Sequence, residues 1–165
     1  SQSMASKYLA PFSSRGPTAD GRMKPDVVAP GHSILSASAD PGLIGEWDDT
    51  ESNGLFRMSG TSMAAPMVSG AAALVRQYFV DGWYYNGTIN PAFGYSPRAS
   101  LIKAVILNGA EALLGVDSKT SSKPYDQHQG FGRVDLSSSL PLKEENDLGG
   151  IFVNSQLLSN GAKNT

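Results

Sequence analysis

One stretch constrains this chain more than any other. From Ser62 to Val80 it reads Ser-Met-Ala-Ala-Pro-Met-Val-Ser-Gly-Ala-Ala-Ala-Leu-Val-Arg-Gln-Tyr-Phe-Val, and Arg76 is its single charged residue. Ala and Leu favour helix. With no charge before Arg76, the pattern predicts a helix buried nearly all round. Its Ala, Ser and Gly residues let neighbouring backbones approach closely. Pro66 falls near the predicted start, where a lost amide donor costs least and where the ring bends the helix.

The residues that open this helix carry the chemistry. A nucleophilic serine needs an uncrowded hydroxyl, a base, and donors facing the oxyanion that develops. Ser62 sits where the first turn is expected, so free amides and the positive dipole end favour negative charge beside it. Gly60 allows a sharp turn and keeps access open. The plain alternative is that Thr61 and Ser62 merely cap a helix. Capping, however, does not require Gly60, Met63 and Pro66 at these spacings.

The rest of the chain reads as an α/β arrangement rich in turns, with 18 Gly and 10 Pro. Asp26-Val27-Val28-Ala29-Pro30-Gly31 is expected as a short buried strand closed by Pro-Gly. Ile34 to Ser38 and Phe56 to Ser59 are further strand candidates. Asp40 to Gly54, with Trp47, is expected as an exposed acidic loop. Asp81 to Tyr95 is a loop rich in Gly and aromatics. Ser96-Pro97 predicts a helix start, with Ser96 as cap and Pro97 at the first helical position. Leu101, Ile102, Val105, Ile106 and Leu107 give that helix an apolar face through about Leu114, with Gly115 as the stop. Gly130-Phe131-Gly132-Arg133-Val134-Asp135-Leu136 reads as a tight turn into a packed element. From Pro141 the chain becomes a charged linker, Lys143 to Asp147, followed by a strand candidate at Ile151 to Asn154.

Gly60-Thr61-Ser62-Met63-Ala64-Ala65-Pro66 resembles the catalytic-serine motif of the subtilase family, Gly-Thr-Ser-Met-Ala-x-Pro, at every specified position. Phe12 to Pro17 and Lys24 to Gly31 are similar to the segment preceding that serine. Ser96 to Asn108 and Gly130 to Leu136 resemble the family's closing helix and final turn. The resemblance covers residues 8 to 140 or so and is strongest to large secreted alkaline subtilases with a β-sandwich after the protease domain.

The resemblance implies a subtilisin-like α/β fold, a parallel sheet flanked by helices. Residues 1–140 would be the C-terminal part of the catalytic domain. Residues 141–165 would be a linker and the first strand of a following β-sandwich. It implies a secreted serine endopeptidase that hydrolyses peptide bonds of protein or peptide substrates with a Ser-His-Asp triad. Ser62 would be the nucleophile and its amide an oxyanion donor, with Thr61 and Gly60 in support. In the family the aspartate, the histidine and the oxyanion asparagine precede the serine in the chain. Here His32 follows Pro30-Gly31 and His128 lies between glutamines; neither has the family's His-Gly-Thr context, and both read as surface loop residues. The base and its orienter are therefore expected upstream of Ser1, and this stretch alone is expected to be inactive. The competing reading is a non-catalytic homologue serving as a binding or structural module.

Composition narrows the rest. Thirteen basic and fifteen acidic residues leave no basic stripe, so nucleic acid is not an expected partner. Apolar runs end well short of the ~18 residues a membrane span needs. There is no cysteine, so thiolate catalysis and disulfides are excluded within these residues. No cofactor is required for the expected chemistry. Asp48, Asp49 and Glu51 form a candidate structural calcium site, set against the plainer reading of a solvated acidic loop. Asn86-Gly87-Thr88 fits an N-glycosylation acceptor. Trp83, Tyr84 and Tyr85 are candidates for a partner surface or for packing over a helix end, the second being the simpler reading.

Overall fold

The computed structural model describes residues 8–38, 54–113, 125–146, 148–150 and 152. The chain divides into two compact units, residues 1–70 with 110–134, and residues 71–109 with 135–165. One helix, α1 (Thr61–Val80), begins in the first unit and ends in the second.

In the first unit, β1 (Ile34–Ala37) pairs antiparallel with β2 (Leu55–Met58), in a register that sets Ile34 opposite Met58 and Ala37 opposite Leu55. The Ser38 amide donates to the Gly54 carbonyl at 2.8 Å and closes that end of the pair. The acidic loop expected between the strands falls at 39–53, outside the described residues.

The strand expected over 26–31 is reduced to a single parallel bridge, Val28 with Arg133, and its residues are half-buried rather than buried, with Pro30 exposed. Pro25 and Pro30 flank it and have no amide to give a ladder, which limits the pairing to its middle. That bridge is nevertheless well made. The Val28 amide donates to the Gly132 carbonyl at 2.9 Å, and the Val134 amide to the Val28 carbonyl at 3.0 Å. Arg133 also pairs antiparallel with Glu111, through both backbones and a side-chain ion pair. Gly132 has φ 114, a conformation open to glycine. The predicted turn at 130–136 is thus the clasp on which the 26–28 segment hangs.

Helix α1 forms where its composition predicts, and it runs through Pro66. Its burial differs from expectation: only Val75, Tyr78 and Phe79 are buried, while Leu74 is 57% exposed and Met67 48%. Lack of charge tells what a helix face is able to bury. The described segments cover only the stripe at 75, 78 and 79.

In the second unit the end of α1 carries an aromatic cluster. Phe79 is fully buried and meets Phe152 edge-on at 5.1 Å, Tyr84 at 5.6 Å and Tyr95 at 5.5 Å between ring centres. Burying one such ring contributes ~1.5–3 kcal/mol. The simpler reading of Tyr84, packing over the helix end, is what the structure shows. Tyr85 instead lies flat on Phe93, 3.8 Å between centres, and stays 57% exposed. The Tyr78 hydroxyl donates to the Pro141 carbonyl at 2.8 Å, and the Lys143 amide to the Gly87 carbonyl at 3.0 Å.

Helix α2 (Ala99–Asn108) starts later and stops earlier than its sequence signals suggest. Arg98 has ψ 152, so it is the extended residue before the helix, and its carbonyl accepts from Leu101 and Ile102. Ser96 therefore cannot cap the helix; Pro97 is buried instead of opening the first turn. The stop is Gly109. A Cβ there would run into Ser139 Oγ and come within 2.7 Å of the Ser139 nitrogen and 2.8 Å of the Asp135 carbonyl oxygen. Leu114 and Gly115 lie outside the described residues. The predicted face is in place: Leu101, Val105 and Ile106 are buried, Ile102 and Leu107 half-buried. Of the strand expected at 151–154, only Phe152 is described.

Candidate active site

The site is built on the start of α1. Thr61 and Ser62 are its first two residues, and both are exposed. Gly60 precedes them and is half-buried. Its carbonyl accepts from the Met63 amide at 3.1 Å, and its own amide donates to the Gly31 carbonyl at 2.7 Å. Among the described residues the amides of Thr61 and Ser62 have no backbone acceptor. They are the unpaired donors that a helix start leaves over. The first turn contains no acidic residue, so none of its own side chains neutralises the positive end of the dipole. The arrangement presents a hydroxyl to solvent, with two free amides beside it. Pro66 has no amide for the Ser62 carbonyl, which loses its usual helical partner.

Residues far apart in sequence converge to hold this turn. Gly130 meets the Pro25–Asp26 backbone so closely that a Cβ would clash with it, and the Phe131 amide donates to the Asp26 carbonyl at 2.9 Å. The Gly16 amide donates to the Gln127 carbonyl at 2.8 Å. Segment 24–31 is thus joined to the turn that starts at Gly130, and segment 12–17 meets 24–31 where Gly16 abuts the Lys24 backbone. Gly31 passes the connection on to Gly60.

Neither histidine is hydrogen-bonded to Ser62 among the described residues. His32 is exposed, and its Nδ1 lies 3.3 Å from Ser59 Oγ. His128 departs from the surface position expected for it. It is half-buried, with Nδ1 shielded and unpartnered. Asp126 fixes that turn by accepting from the amides of His128 at 2.7 Å and Gln129 at 2.9 Å. The candidate calcium residues Asp48, Asp49 and Glu51 lie outside the described residues. Among the described residues no acidic or histidine cluster of metal-binding type occurs. No helix there is long and apolar enough to cross a membrane. Asn86 is exposed, and its Oδ1 accepts from the Thr88 amide at 3.2 Å and hydroxyl at 2.7 Å.

Sequence reading missed the partners of this turn. Gly31 was legible as the end of a strand, and Ser59 only as the end of another. No local pattern joins them, because their contact is tertiary.

The helix start carries an exposed serine, Ser62, after Gly60-Thr61, and its preceding glycine is bonded to Gly31. Residues 2–132 match the Subtilase family, and the chain belongs to it. It is 42% identical over 132 residues to the serine protease/ABC transporter B family protein tagA of Dictyostelium discoideum, covering 76% of this chain and 7% of that protein. It is 38% identical over 131 residues to the C5a peptidase of Streptococcus pyogenes, covering 79% of this chain and 9% of that protein. The CspB protease of Clostridium perfringens superposes with a TM-score of 0.50 at 31% identity, over 79% of this chain and 23% of that one. The chain therefore spans less than a tenth of the length of these two curated relatives.

Proposed function

We propose that this chain is part of a serine endopeptidase in which Ser62 is the nucleophile. Its Oγ attacks the scissile carbonyl of a protein or peptide substrate and gives an acyl-enzyme, which water then hydrolyses. The Ser62 amide donates to the oxyanion, with Thr61 beside it and Gly60 leaving the approach open. The observation that carries this reading is the exposed Ser62 hydroxyl in the first turn of α1, next to amides without acceptors. On this reading the histidine base, the aspartate and the oxyanion asparagine are supplied from outside residues 1–165, as the family order Asp, His, Ser implies; that neither His32 nor His128 is bonded to Ser62 supports this for the base. These residues alone are inactive on this reading.

The remaining expectations belong to the same proposal. Residues up to about 140 contribute to a parallel sheet flanked by helices, and those from about 141 lead into a β-sandwich. The chemistry calls for no cofactor; at Asp48, Asp49 and Glu51 the plainer reading, a solvated acidic loop, is kept, and a calcium bound there would be structural. The protein is secreted.

Ser62→Ala in the full-length protein is expected to lower kcat by at least about two orders of magnitude on a peptide substrate. A serine-directed phosphonate should label the parent and not the variant. Unchanged turnover would instead indicate a non-catalytic homologue, with any activity arising elsewhere. Asn86 is proposed to carry an N-glycan, because it is exposed in the Asn-Gly-Thr acceptor. Secreted from eukaryotic cells, the protein should lose mass on endoglycosidase treatment, and Asn86→Gln should abolish that loss. A polypeptide of unmodified mass at Asn86 rules the glycan out.

A further inference from the structure

The turn before Ser62 is held from one side by a short segment, Gly31 to Ser33. The β1–β2 ladder ends at the pair Ile34 and Met58. Beyond it the two strands continue to touch, but through different contacts. The Ser33 amide donates to Ser59 Oγ at 2.8 Å, and His32 Nδ1 lies 3.3 Å from the same oxygen. Arg57 Nη1 donates to the Ser33 carbonyl at 3.3 Å, and the Gly60 amide donates to the Gly31 carbonyl at 2.7 Å. Ser33 has φ 52, the left-handed region that a non-glycine residue adopts only when its neighbours hold it there. A serine hydroxyl is able to serve both sides at once, accepting from the Ser33 amide and donating to a ring nitrogen.

Gly31 completes the arrangement. A Cβ on it would stand 2.6 Å from the Gly60 carbonyl oxygen and 3.1 Å from Ala64 Cβ. It thus abuts both the residue before Thr61 and the first turn of α1. No slack exists between this segment and the base of the nucleophile's turn.

We infer that Ser59 is a positioning residue for Ser62, with Gly31 as its abutment. Ser59 Oγ pins the strained Ser33 turn, and that turn sets where Gly31 presses on Gly60 and Ala64. The direction in which Ser62 Oγ and the first amides of α1 point is set in consequence. Catalytic geometry is sensitive to shifts below 1 Å, so loosening this pin acts on turnover first. Ser59 itself is exposed and contributes little to the core. The inference rests on Ser62 being the nucleophile.

The test compares Ser59→Ala, Ser59→Thr, Gly31→Ala and Ser62→Ala in the full-length protein. The readouts are kcat, KM, the rate of phosphonate labelling and the melting temperature. Ser59→Ala is expected to lower kcat and the labelling rate together, by about tenfold, with KM within about twofold. Ser59→Thr keeps a hydroxyl and should recover most of the loss. Gly31→Ala should lower kcat as well, and adding Ala64→Gly should not restore it, because the Gly60 carbonyl still blocks the new methyl. Unchanged kcat in Ser59→Ala, or a rise in KM alone, overturns the inference while Ser62→Ala still abolishes activity. Loss of the melting transition in both Ser59→Ala and Gly31→Ala also overturns it, since the role is then structural. Full activity in Ser62→Ala removes the nucleophile and this inference with it.

Discussion

Asp126 accepts hydrogen bonds from the amides of His128 and Gln129 and, at 3.1 Å, from the Gln129 side chain. Gln129 is buried, and its Oε1 in turn accepts from the Leu113 amide at 2.7 Å. Burial pushes the Asp126 carboxyl up, but these bonds, with the nearby His128, outweigh it and hold the group below its ordinary value of 3.8. The unfolded chain therefore binds this proton at a higher pH than the folded one. The stabilisation is present above pH 3.8 and is lost as the pH falls through the lower folded value. Asp126→Asn should accordingly be less stable than the parent at neutral pH, and the gap should close as acid is added. Urea melts across that range provide the check; a gap independent of pH would mean that the charge contributes nothing. None of this was visible in the sequence, where the segment reads only as polar loop. Ser62, the proposed nucleophile, was visible, because the motif that singles it out is a run of neighbours local in the chain. Ser59 was not, because its partners His32 and Ser33 come from the segment before the other strand.

The elements show how far a local pattern reaches. Strands β1 and β2 and helix α1 form within a residue or two of where alternation, Ala content and the Gly-Thr start place them. Helix α2 does not keep its predicted ends, and the cause lies in neighbours distant in sequence. Ser96-Pro97 is a sound start signal, yet Pro97 is buried and the helix waits until Ala99. The apolar pattern continues past Asn108, yet Gly109 lies against Ser139 and Asp135. The Ser139 hydroxyl also donates to the Asp135 carbonyl at 2.7 Å, which stiffens the segment that Gly109 meets. Gly109→Ala is therefore expected to destabilise the protein by about 1–3 kcal/mol through overpacking, in spite of alanine's better helix propensity. The denaturant midpoint measures this. An unchanged midpoint would show that residues 135–139 yield to the methyl.

At the scale of the whole molecule, the chain corresponds to 7% to 9% of the length of its curated relatives and keeps the family pattern over residues 2–132. Helix α1 carries Ser62 in its first turn. The sequence by itself determined the family, the helix that carries Ser62, and the position of that serine in the first turn. Each depends on residues adjacent in the chain: a short motif, a charge-free Ala-rich run, a Gly before a hydroxyl. Only the tertiary structure decided what α1 buries, where α2 ends, how the 130–134 turn clasps Val28, and which side chains brace Gly60. Those depend on which backbones meet, and no local propensity encodes the approach of Gly31 to Gly60 or of Gly109 to Ser139. There the deciding energies are steric contacts and hydrogen bonds between segments far apart in the sequence.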